Sequence, residues 1–107
     1  MKINVLGTKY ELLYRSPNED SMLKECDGYC DFSTKKIVVT TQNTDLGDFA
    51  SQQRVYVRHE LIHAFMYESG LTSNWEHKPY GHEELTVDWI ACQFPKLLEA
   101  FKDADVL

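Results

Sequence analysis

A chain of 107 residues is one domain, with room for a single modest core and none for two lobes around a deep cleft. Its 43% hydrophobic and 12% aromatic content argues against disorder, and a net charge of −6 with scattered basic residues argues against attraction to nucleic acid or anionic lipid. No apolar run approaches the length of a membrane span, and the first fifteen residues alternate polar and apolar, so neither a membrane segment nor a secretory signal is expected.

Ile3 to Leu6 and Lys9 to Tyr14 are short β-favouring runs on either side of Gly7-Thr8, which predicts an opening strand or hairpin. Ser16-Pro17-Asn18-Glu19 reads as a helix start. Ser16 can cap, Pro17 suits the first helical position and Glu19 completes a capping box, so a short helix is expected to about Glu25, where Asp27-Gly28 stops it. Tyr29 to Phe32 and Lys36 to Thr41 flank Ser33-Thr34-Lys35 and predict a second hairpin, with strong β propensity in Ile37-Val38-Val39. A long helix is expected from after Asn43-Thr44-Asp45 to Ser69-Gly70, where glycine supplies a left-handed stop. Val55, Ile62 and Met66 lie on the side of its histidines, and Val57, Leu61, Ala64 and Phe65 lie opposite, so the helix belongs between two layers. Leu71 to Gly81 has no periodicity and is expected to be a loop, carrying Trp75 and Tyr80. A last helix from His82 or Glu83 would carry Leu85, Trp89, Ile90, Cys92 and Phe94 to the core. Pro95 lacks an amide proton and is expected to kink or break it, with Leu97, Leu98 and Phe101 in a second piece. The expected class is therefore α+β: one domain over 1–107 with a small, mostly antiparallel sheet packed on the long helix.

Chemistry concentrates in His59-Glu60-Leu61-Ile62-His63, a His-Glu-x-x-His pattern. Residues four apart on a helix are separated by only about 40° around the axis, so both imidazoles reach one metal ion. Glu60, about 100° from His59, is placed to reach a water beside that ion and act as a general base. All four histidines, His59, His63, His77 and His82, lie close together in the chain, and Glu83, Glu84 and Asp88 follow directly. A catalytic site needs a third protein ligand, and the candidates are Glu84 and His82. Glu84 and Asp88 face one direction on the last helix, with Ala91 on the same stripe allowing close packing on the histidine helix. Glu84 would then bind the metal, and Asp88 would orient a ligating histidine. The plain alternative is a solvated acidic first turn favoured by the helix dipole. Two histidines and a carboxylate also suit iron(II) or manganese, so Zn2+ rests on the motif.

Cys26, Cys30 and Cys92 are odd in number and lack a Cys-x-x-Cys, which fits free thiols in a reducing cytoplasm. A Cys26/Cys30 pair binding metal or forming a bridge is the other reading.

The His59-Glu60-x-x-His63 helix followed by Glu84-x-x-x-Asp88 resembles the gluzincin branch of zinc metallopeptidases. Arg58 to Phe65, Glu68-Ser69-Gly70-Leu71 and Val87-Asp88-Trp89-Ile90-Ala91 are most similar to the small phage and mobile-element proteins of the ImmA/IrrE metallopeptidase group. The resemblance covers residues 26 to 101. It implies a zincin-like core, with zinc on His59, His63 and Glu84, Glu60 as base and Asp88 as the supporting carboxylate. Ile62 stands where members of the group often have Gly, and Asp88 where they often have Asn. SprT-like proteins, whose third ligand is a histidine, keep His82 open. The implied activity is hydrolysis of peptide bonds in the cytoplasm, that of a bacterial host if the chain is phage-encoded. The oxyanion would want a further donor, for which Tyr80, His82, Tyr67 and His77 are candidates, and a substrate chain would lie along an edge strand at Lys36 to Thr41. The alternative is an inactive scaffold that keeps zinc for stability and binds a partner protein.

Overall fold

The computed structural model of the chain describes residues 1–43, 45–70, 72 and 83–103. Leu6 and Gly7 both adopt left-handed backbone, φ 50 and 94, and Val5 pairs with Thr8 across them. A two-residue loop with positive φ at both positions matches the twist of the strands it joins. Strand β1 (Lys2–Val5) thus folds straight back on β2 (Thr8–Arg15), as expected, with the loop one residue earlier.

The helix expected over Ser16–Glu25 does not form as a unit. Its capping box does: the Ser16 amide donates to Glu19 Oε1 at 2.9 Å, and the Glu19 amide donates to Ser16 Oγ at 3.3 Å. Asp20 then diverts the chain, accepting the Met22 amide at 3.1 Å and the Tyr29 hydroxyl. Only a 3-10 turn, Ser21–Lys24, follows, and it buries Leu23.

The second hairpin is present. β3 (Gly28–Asp31) runs antiparallel to β4 (Lys36–Thr40), and the Asp31 carboxylate accepts the amides of Ser33 and Thr34 to shape the turn. The sheet order is β1-β2-β4-β3, with β2 and β4 parallel and the other pairings antiparallel. Lys36 to Thr41 is therefore not an edge strand. Ile37, Val38, Val39 and Thr40 are all buried, as a strand covered on both faces must be, and β3 forms the edge instead.

Helix α1 (Phe49–Glu68) starts a few residues later than expected, because Asp48 is its cap, accepting the Ser51 amide at 3.1 Å and the Ser51 hydroxyl at 2.9 Å. Gly70 ends it at φ 89. Its Ala64 belongs to a core with Val5, Tyr10, Leu12, Ile37 and Val39, and Tyr56, Val57 and Leu61 pack against that core. Phe65 stays exposed. Ile62 and Met66 line a groove with Leu6, Ile90 and Phe94, and Val55 lines the cleft that holds the histidines. At the far end Glu68 ties the helix to the sheet, accepting Lys35 Nζ at 2.7 Å and the Tyr10 hydroxyl at 2.9 Å.

Helix α2 (Glu84–Asp103) covers the other side of α1, so α1 lies between two layers. It continues through Pro95 as one element. Its face is not the expected one: Leu85 is 83% and Trp89 57% exposed, and Cys92 and Phe94 are exposed too. Among its described side chains Val87 and Ala91 are fully buried. Close approach of two helices favours small side chains at the contact, and the larger ones are left outside. Trp75, Tyr80, His77 and His82, the expected loop, and the side chains of Leu97 and Phe101 lie outside the described residues. Among the described residues no helix is long and apolar enough to cross a membrane.

Candidate metal centre

His59 and His63 occupy successive turns of α1, with ring centroids 4.9 Å apart and an interplanar angle of 64°. Their Nε2 atoms point at one another across 3.2 Å. Glu84, in the first turn of α2, brings Oε2 to 3.0 Å from His59 Nε2 and Oε1 to 3.2 Å from His63 Nε2. These three residues form the group of possible metal ligands among the described residues. Two donors held about 2.0–2.1 Å from a tetrahedral ion stand about 3.3 Å apart, close to the 3.2 Å between the imidazole nitrogens and to the distance of each from its own Glu84 oxygen.

Proton bookkeeping points the same way. Asp88 Oδ1 lies 2.5 Å from His59 Nδ1, so that nitrogen carries the proton and donates it. A neutral His59 then turns the lone pair of Nε2 toward the Glu84 carboxylate, acceptor against acceptor. A cation between them removes the conflict, and a second proton on His59 is the other way to do so. The donor set, two imidazole nitrogens and a carboxylate oxygen, fits a divalent transition-metal ion. Asp88 is the outer partner that such a histidine ligand needs. Glu84 and Asp88 are mostly exposed, yet both turn inward on His59, which a merely solvated acidic turn does not require.

Glu60 lies beside the ligand group and outside it. Its Oε1 is 3.8 Å from His59 Nε2, and the residue is only 7% exposed. Space for it comes from Gly28 in β3, where a Cβ would stand 3.4 Å from Glu60 Cγ and 3.0 Å from the Val38 carbonyl oxygen. Burial pushes its carboxyl from an ordinary 4.5 up to about 7; His59 opposes the shift, and Glu84 and Asp88 add to it. In the sequence Gly28 reads as a helix stop and the start of a hairpin. Its role in admitting Glu60 appears once β3 is seen crossing α1.

The site opens into a cleft of about 1020 Å³ between β3 and the two helices, lined by Gly28, Tyr29, Cys30, Val55 and Tyr56 beside the polar group. All three cysteines line it as free thiols, and none joins the ligand group. Burial pushes the Cys30 thiol up to about 12. Tyr67 is turned away, stacked on Phe32 at 4.4 Å with Lys35 Nζ 4.9 Å from its ring, and does not line this cleft. Tyr80, His77 and His82, the other candidate donors, lie outside the described residues.

No protein-family model, curated protein or solved structure matches the chain. The site stands on its own geometry. Legible in the sequence were the histidine pair, Glu60, Glu84 and Asp88; missed were Val87 at the helix contact and Gly28 beneath Glu60. The former had a signal, its spacing of three from Glu84 and four from Ala91 on the same helix face.

Proposed function

We propose that the chain is a zinc-dependent peptidase in which His59, His63 and Glu84 hold the ion and Glu60 is the general base. The observation that carries this reading is the convergence of two imidazole nitrogens and one carboxylate within 3.2 Å of one another, with a buried carboxylate 3.8 Å away. The motif's resemblance to gluzincins of the ImmA/IrrE group supports it. When bound, the ion supplies Lewis acidity, lowering the pKa of a water and polarising a carbonyl oxygen. A cation beside Glu60 also favours its ionised form, which offsets the effect of burial and leaves a base ready near neutral pH. Glu60 then takes a proton from the attacking water and returns it to the leaving amine. Asp88 holds the proton on His59 Nδ1 and so keeps Nε2 free to bind.

The open edge of β3 is where an extended polypeptide fits. The Thr40 amide donates to the Asp27 carbonyl at 2.9 Å, and antiparallel alternation then turns the peptide groups of Gly28 and Cys30 away from β4. A substrate strand added there lies along the metal cleft.

Glu60→Gln tests the reading against a zinc-stapled scaffold. An enzyme keeps one equivalent of metal and loses about 10²- to 10⁴-fold in cleavage of a denatured protein substrate. Cleavage surviving at the wild-type rate removes Glu60 from the mechanism.

A further inference from the structure

Pro95 sits inside α2, where the carbonyl four residues earlier, that of Ala91, would ordinarily accept its amide proton. Proline has none. Ala91 is fully buried, so water cannot take the place of the missing donor cheaply. The donor comes from the other helix: Arg58 Nε lies 2.7 Å from the Ala91 carbonyl oxygen.

We infer that Arg58 is a positioning residue, which replaces the amide that Pro95 lacks and thereby seats α2 over the metal-binding turn of α1. Arg58 precedes His59 directly, and Ala91 stands on the stripe of α2 that also carries Glu84 and Asp88. A proline in mid-helix thus becomes a docking point. It frees one carbonyl, and a guanidinium at a single place on α1 satisfies it. The slide of α2 along α1 is fixed there, and with it the reach of Glu84 to both histidines and of Asp88 to His59 Nδ1. An ordinary residue at 95 would bond Ala91 within its own helix, and that carbonyl would no longer depend on Arg58 for a donor. As it concerns zinc, the inference rests on the metal centre proposed above; as it concerns the helix pair, it does not.

Two cycles of variants test it in the full chain. In the first, folding equilibria are measured by urea titration in chelator for wild type, Arg58→Met, Pro95→Ala and the double variant. With Pro95 present, Arg58→Met should lower the folded-to-unfolded ratio about tenfold to hundredfold, the usual loss of a charge-assisted hydrogen bond. With Ala at 95 the same change should cost less than about threefold, since the new amide serves Ala91. Equal losses in the two backgrounds, or failure of both Arg58→Met proteins to fold, would overturn the pairing.

In the second cycle, zinc affinity is measured by chelator competition for wild type, Arg58→Met, Glu84→Ala and their combination, under conditions where circular dichroism shows each folded. Arg58→Met should weaken zinc about tenfold when Glu84 is present and not at all when it is absent. A purely structural arginine would act alike in both backgrounds, and that result overturns the seating. A wild type that binds no zinc overturns the seating along with the metal centre, while the chelator cycle still decides whether Arg58 stands in for the amide.

Discussion

Replacing Glu60 by Gln should stabilise the metal-free protein at neutral pH and not at acid pH. Glu60 is buried beneath Gly28, and its carboxyl rises from an ordinary 4.5 to about 7 on folding. An acid whose folded pKa is raised binds its proton more tightly in the folded state. The folded protein is therefore favoured below pH 4.5, and the advantage is lost as pH climbs through 7. A gap of about 2.5 pH units at about 1.36 kcal/mol each amounts to about 3 kcal/mol. Glutamine has the same shape and no charge to desolvate. The difference in unfolding free energy, wild type minus Glu60→Gln, should consequently fall by about 3 kcal/mol between pH 4 and pH 8, most of it before pH 7. Urea titrations in chelator, followed by circular dichroism, read this as a relative shift of about 1 to 3 M in midpoint. Titrating groups far from Glu60 are common to both proteins and cancel, and its coupling to His59, Glu84 and Asp88 is part of the difference read. Saturating zinc should flatten the curve, because a cation alongside offsets the burial. A difference that stays level or rises from pH 4 to pH 8 in chelator would refute the burial of an ionisable Glu60.

Asp88→Ala removes the carboxylate 2.5 Å from His59 Nδ1 and should weaken zinc about 10- to 100-fold by titration calorimetry, with folding retained; unchanged affinity would contradict its orienting role. Ala91→Leu places a large side chain in the fully buried helix contact and should cost about 1–3 kcal/mol in urea titration. It should also weaken zinc, since it pushes Glu84 outward. Glu68, held below the usual carboxylate range by hydrogen bonds from Lys35 and Tyr10, contributes stability above pH 4.5 that disappears as pH falls through its lowered pKa. Glu68→Gln should therefore be less stable than wild type near neutrality, and the two should converge in acid.

The helix carrying the histidines was legible from its histidine spacing and its terminal glycine, but its start was not, because Asp48 caps it a few residues beyond Asn43-Thr44-Asp45. The convergence of His59, His63, Glu84 and Asp88 was legible in part from helical spacing, which left His82 open beside Glu84 as third ligand. The sheet order was not legible: β2 pairs with β4 across an intervening strand, and no local signal records such a contact. The unbroken run Ile37-Val38-Val39 did mark a strand buried on both faces, which should have placed it centrally. The capping box at Ser16 formed without its helix, because Asp20 captured the Met22 amide and the Tyr29 hydroxyl and restarted the chain. On α2 the largest apolar residues drew attention, whereas the contact with α1 uses Val87 and Ala91. Pro95 was expected to kink or break that helix, which runs on through it as one element, and the donor to the Ala91 carbonyl, Arg58, comes from a segment far away in the chain.

Metal content reads out the proposed sharing of one divalent ion by His59, His63 and Glu84. After stripping, reloading with zinc and desalting, elemental analysis should find one equivalent in the wild type and a clear loss in both His63→Ala and Glu84→Ala. A wild type that retains no zinc, or a Glu84→Ala protein that retains it as tightly as the wild type, would contradict the claim.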